Sequence, residues 1–152
     1  MDSKKIYERL ARLCSAREYC KRDILKKIEA MRAEDAIDTQ AIISQLCAEK
    51  YLDESRYAAF FARDKSSLAG WGEQKIRYAL SAKGIERDVI DAALGQIDLE
   101  KAQSRMEGVL AARMRTLDGD EAQVRQKLFR FGLSRGYTYN QIKAFYDNFR
   151  RG

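Results

Sequence analysis

The chain has no histidine and no proline in 152 residues, only three cysteines and nine glycines. Without histidine there is no Ser–His or Cys–His nucleophile pair, and the usual general base and commonest transition-metal ligand are missing. Cys14, Cys20 and Cys47 are odd in number and lack metal-type spacing, so neither a disulfide framework nor a metal site is expected. No apolar run is long enough to span a bilayer, and the N-terminal stretch has no charged-then-apolar signal pattern. No phosphate-binding loop of the nucleotide-hydrolase kind is present. These absences point away from an enzyme and from any cofactor, and toward a reducing, cytoplasmic setting.

The lack of proline leaves long stretches of Ala, Leu, Arg, Lys, Glu and Gln uninterrupted, and these are strong helix formers. Alternating β-branched runs are also missing, so the chain reads as all-α. Apolar spacing predicts nine short helices over 4–14, 21–31, 39–49, 53–64, 73–83, 87–97, 99–116, 121–135 and 139–149. Asp38 is placed to cap the third, and Thr138 with Gln141 forms a capping box for the last. Residues 66–72 read as the clearest loop. Gly84 and Gly136 suit left-handed positions just beyond helix ends.

A pattern recurs at an interval of 52 residues: Lys75-Ile76, Leu80-Ser81, Lys83-Gly84, Ile90, then Lys127-Leu128, Leu133-Ser134, Arg135-Gly136, Ile142. The middle leucine reads as slipped by one residue. A weaker upstream copy has Ile24, Ile28 and Met31, followed by a turn about four residues longer. Repetition on this scale implies stacked copies of one small motif that share a core. The division expected is 1–50, 51–98 and 99–152, three tandem three-helix repeats.

Charge is uneven. Residues 101–152 carry eleven Lys and Arg against five Asp and Glu, whereas residues 51–100 carry seven against nine. Within 122–152 seven cations face the single acid Asp147, which suggests an acidic partner, nucleic acid or protein. Arg125, Lys127 and Arg130 fall on outer or flanking faces if Leu128 and Phe131 point inward. Asp53 and Arg56, at i and i+3, fit a local ion pair. Phe60, Phe61, Phe129, Tyr137, Phe145, Tyr146 and Phe149 sit at core-like spacing, and the three cysteines read as small apolar interior residues. Tyr139, among polar neighbours, and Trp71, in its glycine-flanked loop, stand apart as candidate contacts.

Tyr51-Leu52-Asp53-Glu54-Ser55-Arg56-Tyr57-Ala58, with Phe61-Ala62-Arg63-Asp64 and Gly70-Trp71-Gly72, resembles the signature of the RecX family. Lys83-Gly84-Ile85 and the run Arg125-Gln126-Lys127-Leu128-Phe129-Arg130-Phe131, closed by Arg135-Gly136-Tyr137, extend the likeness over roughly residues 10–149. The resemblance implies an elongated, curved array of three-helix repeats. It also implies a monomeric regulator that binds the RecA–single-stranded-DNA filament, touches the DNA within it, and inhibits ATP hydrolysis, strand exchange and filament growth during repair and recombination. The first repeat departs from the family pattern: Glu18-Tyr19-Cys20 opens its second helix, and no Lys-Gly turn occurs at Met31-Arg32.

Lys75, Arg77, Arg125, Lys127, Arg130, Arg135, Trp71 and Tyr139 are therefore the candidate contacts to partner or DNA. Tyr51, Leu52, Asp53, Arg56, Tyr57, Gly84 and Gly136 form the structural signature. The competing reading is a helix-turn-helix protein that binds DNA directly. Against it, the helix over 87–97 holds Asp88 and Asp91 and only Arg87 as a cation, whereas a major-groove reader presents several Arg, Lys, Asn or Gln side chains.

Overall fold

The computed structural model describes residues 2–32 and 36–152. Among the described residues there are nine α-helices and no strand: α1 (Ser3–Ala16), α2 (Lys21–Arg32), α3 (Thr39–Ala48), α4 (Glu54–Ser67), α5 (Glu73–Ala82), α6 (Arg87–Gly95), α7 (Leu99–Met114), α8 (Glu121–Ser134) and α9 (Tyr139–Arg151). Asp38 caps α3 by accepting from the Ala41 amide, and Thr138 and Gln141 bond reciprocally at the start of α9. Asp120 with Gln123 makes a second capping box on α8. Each such cap satisfies amides that the first turn leaves unpaired.

Helices this short are unstable alone, so their apolar stripes must meet. They meet in threes. Ile6, Leu10, Ile24, Ile28, Ile42 and Leu46 from α1–α3 form one core. Ala58, Ala62, Ile76, Leu80, Ile90 and Ala93 from α4–α6 form a second. Met106, Leu110, Leu128, Phe129, Ile142 and Tyr146 from α7–α9 form a third. Between groups, α4 packs on α7. Cys20, ahead of α2, is fully buried in the second core and plugs the first group into the next.

Three expectations need correction. The repeat has no slip: Gly132, not Leu133, takes the place of Leu80. The Ile85 amide donates to the Leu80 carbonyl and the Tyr137 amide to the Gly132 carbonyl, both 52 residues apart. Leu133 corresponds to Ser81 and is 52% exposed, while Gly132 is buried beside Ile142. Second, Ser66 and Ser67 belong to α4, because Ser66 is drawn inward at the spacing of Tyr57, Ala58 and Ala62. Third, Phe60 and Phe149 are exposed, whereas Phe129, Tyr137 and Tyr146 are core. Cys14 and Cys20 are buried and Cys47 is half-buried, all three as free thiols. The longer turn of the first repeat falls partly on residues 33–35, outside the described ones.

Candidate partner interface

The Tyr51–Tyr57 block builds the joint between the first and second helix groups. Leu52 and Tyr57 are buried, Tyr57 stacks on Phe61, and the Tyr51 and Tyr7 rings meet edge to face. Asp53 and Arg56 do not form the local ion pair. The Asp53 carboxylate accepts from the Arg56 backbone amide at 3.0 Å, as the cap of α4. The Arg56 guanidinium instead reaches Glu18 at 2.7 Å and the carbonyls of Lys50 and Tyr51. A carboxylate at an N-cap finds amides within reach before it finds a long side chain. The same joint holds Lys83 against Asp23 at 2.9 Å, Arg22 against the Ala82 carbonyl, and the Lys21 amide against Glu54. Burial opposes the charged Asp23 carboxylate, yet hydrogen bonds from Lys83 and Cys20 hold it below its ordinary value. The hydrogen bond to Asp23 raises Lys83.

Trp71, Lys75 and Arg135 come together at the next joint. Gly72 donates its amide to the Arg135 carbonyl at 2.7 Å, and Gln74 to that of Gly136 at 3.2 Å. The Tyr137 hydroxyl donates to the Gly70 carbonyl, and burial pushes that phenol up. The Arg135 guanidinium donates to the Ala69 carbonyl, and its Nε is buried without a partner. Lys65 and Lys75 both approach the Trp71 ring, their ammonium nitrogens 4.8 and 4.5 Å from its centre. Much of what Arg135 offers is spent inside the fold. Lys65 was not singled out from the sequence, because its partner lies in a loop with no fixed helical spacing to it.

Arg125, Phe129, Tyr139 and Tyr146 form a second cluster. The Arg125 guanidinium lies 4.3 Å from the centre of the Phe129 ring and donates to the Tyr139 hydroxyl at 3.3 Å. Tyr139 is half exposed, with its ring centre 5.0 Å from that of Phe129. This face is an aromatic base with a cation laid over it, a surface on which a planar group can stack. Lys127 donates to the Asp118 carbonyl at 3.1 Å, and Arg130 is exposed on α8. Arg77 stands apart from the rest. Asp91 at 2.8 Å and Glu73 at 3.4 Å surround it, and the Asp91 hydrogen bond raises it further. Its charge is answered within its own repeat.

Among the described residues no group of His, Cys, Asp and Glu could hold a metal ion, and no helix is long and apolar enough to cross a membrane. The candidate residues lie on a charged and aromatic surface of α8, the start of α9 and the loop before α5.

The model of the RecX second three-helix domain matches residues 53–94. The chain is 32% identical over 124 residues to a regulatory protein RecX of Pectobacterium atrosepticum, covering 80% of this chain and 74% of that one. It is 28% identical over 151 residues to a regulatory protein RecX of Chlorobium phaeobacteroides, covering 99% of this chain and 97% of that one. A Clostridium botulinum relative is 40% identical over 97 residues, and there the chain spans 44% of the relative's length. A crystal structure of a regulatory protein RecX superposes with a TM-score of 0.84 at 24% identity, over 95% of this chain and 71% of the other. That of RecX from Lactobacillus salivarius superposes with a TM-score of 0.77 at 18% identity, over 95% and 94%.

Proposed function

Because the chain belongs to the RecX family, whose members bear the name of regulatory proteins, we propose that it is a non-enzymatic cytoplasmic regulator of the RecA recombinase. In this reading it acts as a monomer, binds the RecA–single-stranded-DNA filament, and inhibits its ATPase, strand exchange and growth. The observation that carries the reading is the likeness to a RecX protein over 99% of the chain. The three repeats follow 1–50, 51–98 and 99–152, and each brings one three-helix unit to the array. The basic third repeat lies against DNA phosphates or acidic filament surface, with Lys127, Arg130 and the Arg125–Tyr139 face at the contact. Arg135, through its bond to the Ala69 carbonyl, holds that repeat to the second, beside Trp71 and Lys75.

A rigid ligand that spans neighbouring filament subunits restrains them only by preferring one arrangement over another. The second and third repeats, tied by backbone bonds from Gly72 and Gln74 and by the packing of α4 on α7, supply that stiffness. The helix-turn-helix alternative finds no support in α6. Its exposed face carries Asp88, and Asp91 is committed to Arg77.

Titration of a RecA–single-stranded-DNA filament with the protein tests the proposal. ATP hydrolysis should fall progressively as the protein approaches stoichiometry with RecA, and strand exchange should fall with it. Unchanged rates at stoichiometric protein would overturn it.

A further inference from the structure

Between α4 and α7 lies a cavity of about 440 Å³, walled by Arg63, Ser66 and Ser67 on one side and Asp98, Lys101 and Arg105 on the other. Its charge is invisible in composition, because it straddles the boundary of the one stretch of the chain where acids outnumber cations. Three cations converge here on one carboxylate, and that carboxylate is already engaged: Asp98 accepts from the Lys101 amide at 3.1 Å as the cap of α7. Among the described residues none of Arg63, Lys101 and Arg105 is ion-paired.

Arg105 is also held in place. Its Nε and one terminal nitrogen donate to the Ser67 and Leu68 carbonyls at 3.1 and 3.2 Å, which fixes the guanidinium plane and leaves its other N–H groups free. Arg63 rests beside the Phe60 ring, 5.8 Å from its centre. A concave, partly apolar wall concentrates the field of such charges.

We propose that this cavity binds a phosphate-bearing ligand. A carboxylate is satisfied by one guanidinium fork. Three cations with the Ser66 hydroxyl match a group with more oxygens and more negative charge, while the Ser67 hydroxyl already donates to the Arg63 carbonyl at 2.8 Å. Two sources share that chemistry, a free oligophosphate and the backbone of a single-stranded nucleic acid.

The test uses the whole protein alone, so its outcome does not depend on the RecA reading. Inorganic pyrophosphate and a labelled oligothymidylate are titrated separately, with amide shifts followed by NMR and anisotropy read for the oligonucleotide. Pyrophosphate should shift the amides of Ser66, Ser67, Lys101 and Ala102. Arg63→Gln with Lys101→Gln should weaken its binding on the order of tenfold, since each lost contact is a charge-assisted one. Lys26→Gln, at an exposed cation of α2 away from the cavity, should not weaken it. Should the double glutamine variant melt early, Arg63→Lys with Lys101→Arg keeps both charges and should bind. If the oligonucleotide also binds, and its salt slope falls by about 1.4 in the double glutamine variant, the source is nucleic-acid backbone. Binding of pyrophosphate alone assigns a free oligophosphate. Unshifted cavity amides, unchanged binding in the double glutamine variant, or displacement of pyrophosphate by polyglutamate at equal concentration would overturn the proposal.

Discussion

At Gly84 and Gly136 the backbone enters the left-handed region, with φ of 80° and 94°, where an alanine costs roughly 1 kcal/mol in strain. The two positions are equivalent in the repeat but not in their surroundings. A Cβ on Gly84 would meet the end of the Arg22 side chain, which can move aside. One on Gly136 would meet the Lys75 backbone nitrogen at 2.6 Å and the Gly72 carbonyl oxygen at 2.9 Å, which cannot. Gly84→Ala should therefore cost about 1 kcal/mol in urea unfolding and Gly136→Ala at least about twice that; equal costs would mean that the second joint can open without penalty. The Asp23–Lys83 pair gives a pH dependence. Asp23 is held below its ordinary 3.8, so its contribution is present above that value and is lost as pH falls through the lower folded one. Lys83 is held above 10.5, so its contribution is complete below that pH and is lost as pH rises through the folded value. Lys83→Met should thus cost less than about 1 kcal/mol near neutrality, given its partial exposure, and the gap to wild type should close as pH falls through the lowered folded value of Asp23. A gap that persists in acid would assign the effect to packing. Both left-handed glycines were readable from the sequence. The true partner of Arg56 was not, because Glu18 is near it only after the first two helix groups have packed.

The helices themselves were legible nearly throughout, since a proline-free chain with a regular apolar stripe has few other ways to bury that stripe. What the pattern did not yield was the register inside the third repeat. Reading by residue likeness matched Leu80 to Leu133, but the turn bonds count residues from the glycine at the helix end, and they place Gly132 in the core. The reason is volume: a Cβ on Gly132 would stand 2.6 Å from Cδ1 of Ile142, so α8 and α9 approach too closely there for a side chain. The register has a direct consequence. Gly132→Ala gains helix propensity but overpacks this contact, and should destabilise the protein by about 1–3 kcal/mol in thermal or urea unfolding. Leu133→Ala, on the exposed face, should change stability by no more than about 0.5 kcal/mol. The opposite order would restore the slipped alignment. The candidate contacts were less legible than the helices. Their residue types can be read one by one, but whether a cation is spent internally depends on neighbours far along the chain. Arg135 on Ala69 and Arg77 on Asp91 show the difference.

In the whole array the two joints are made of different materials. The second rests on backbone hydrogen bonds from Gly72 and Gln74 and on the buried Tyr137 hydroxyl. The first rests on Cys20 as a plug and on ionic or side-chain bonds: Arg56 to Glu18, Lys83 to Asp23, Arg22 to the Ala82 carbonyl and the Lys21 amide to Glu54. Exposed ion pairs are screened over a few ångströms at molar salt, while backbone bonds between packed segments are almost indifferent to it. The first group should therefore swing more freely against the rest as salt rises, with the second and third staying locked. Hydrogen exchange reads this amide by amide. Between about 0.05 and 1 M salt, exchange of the Lys21 amide, bonded to the Glu54 carboxylate and to no other group among the described residues, should quicken severalfold relative to a matched peptide. The Gly72 and Gln74 amides should keep their protection. If all three respond alike, the array opens as one body and the contrast between its joints has no mechanical meaning. If they part as expected, the first group is the one free to adjust its angle, while the second and third stay fixed against each other.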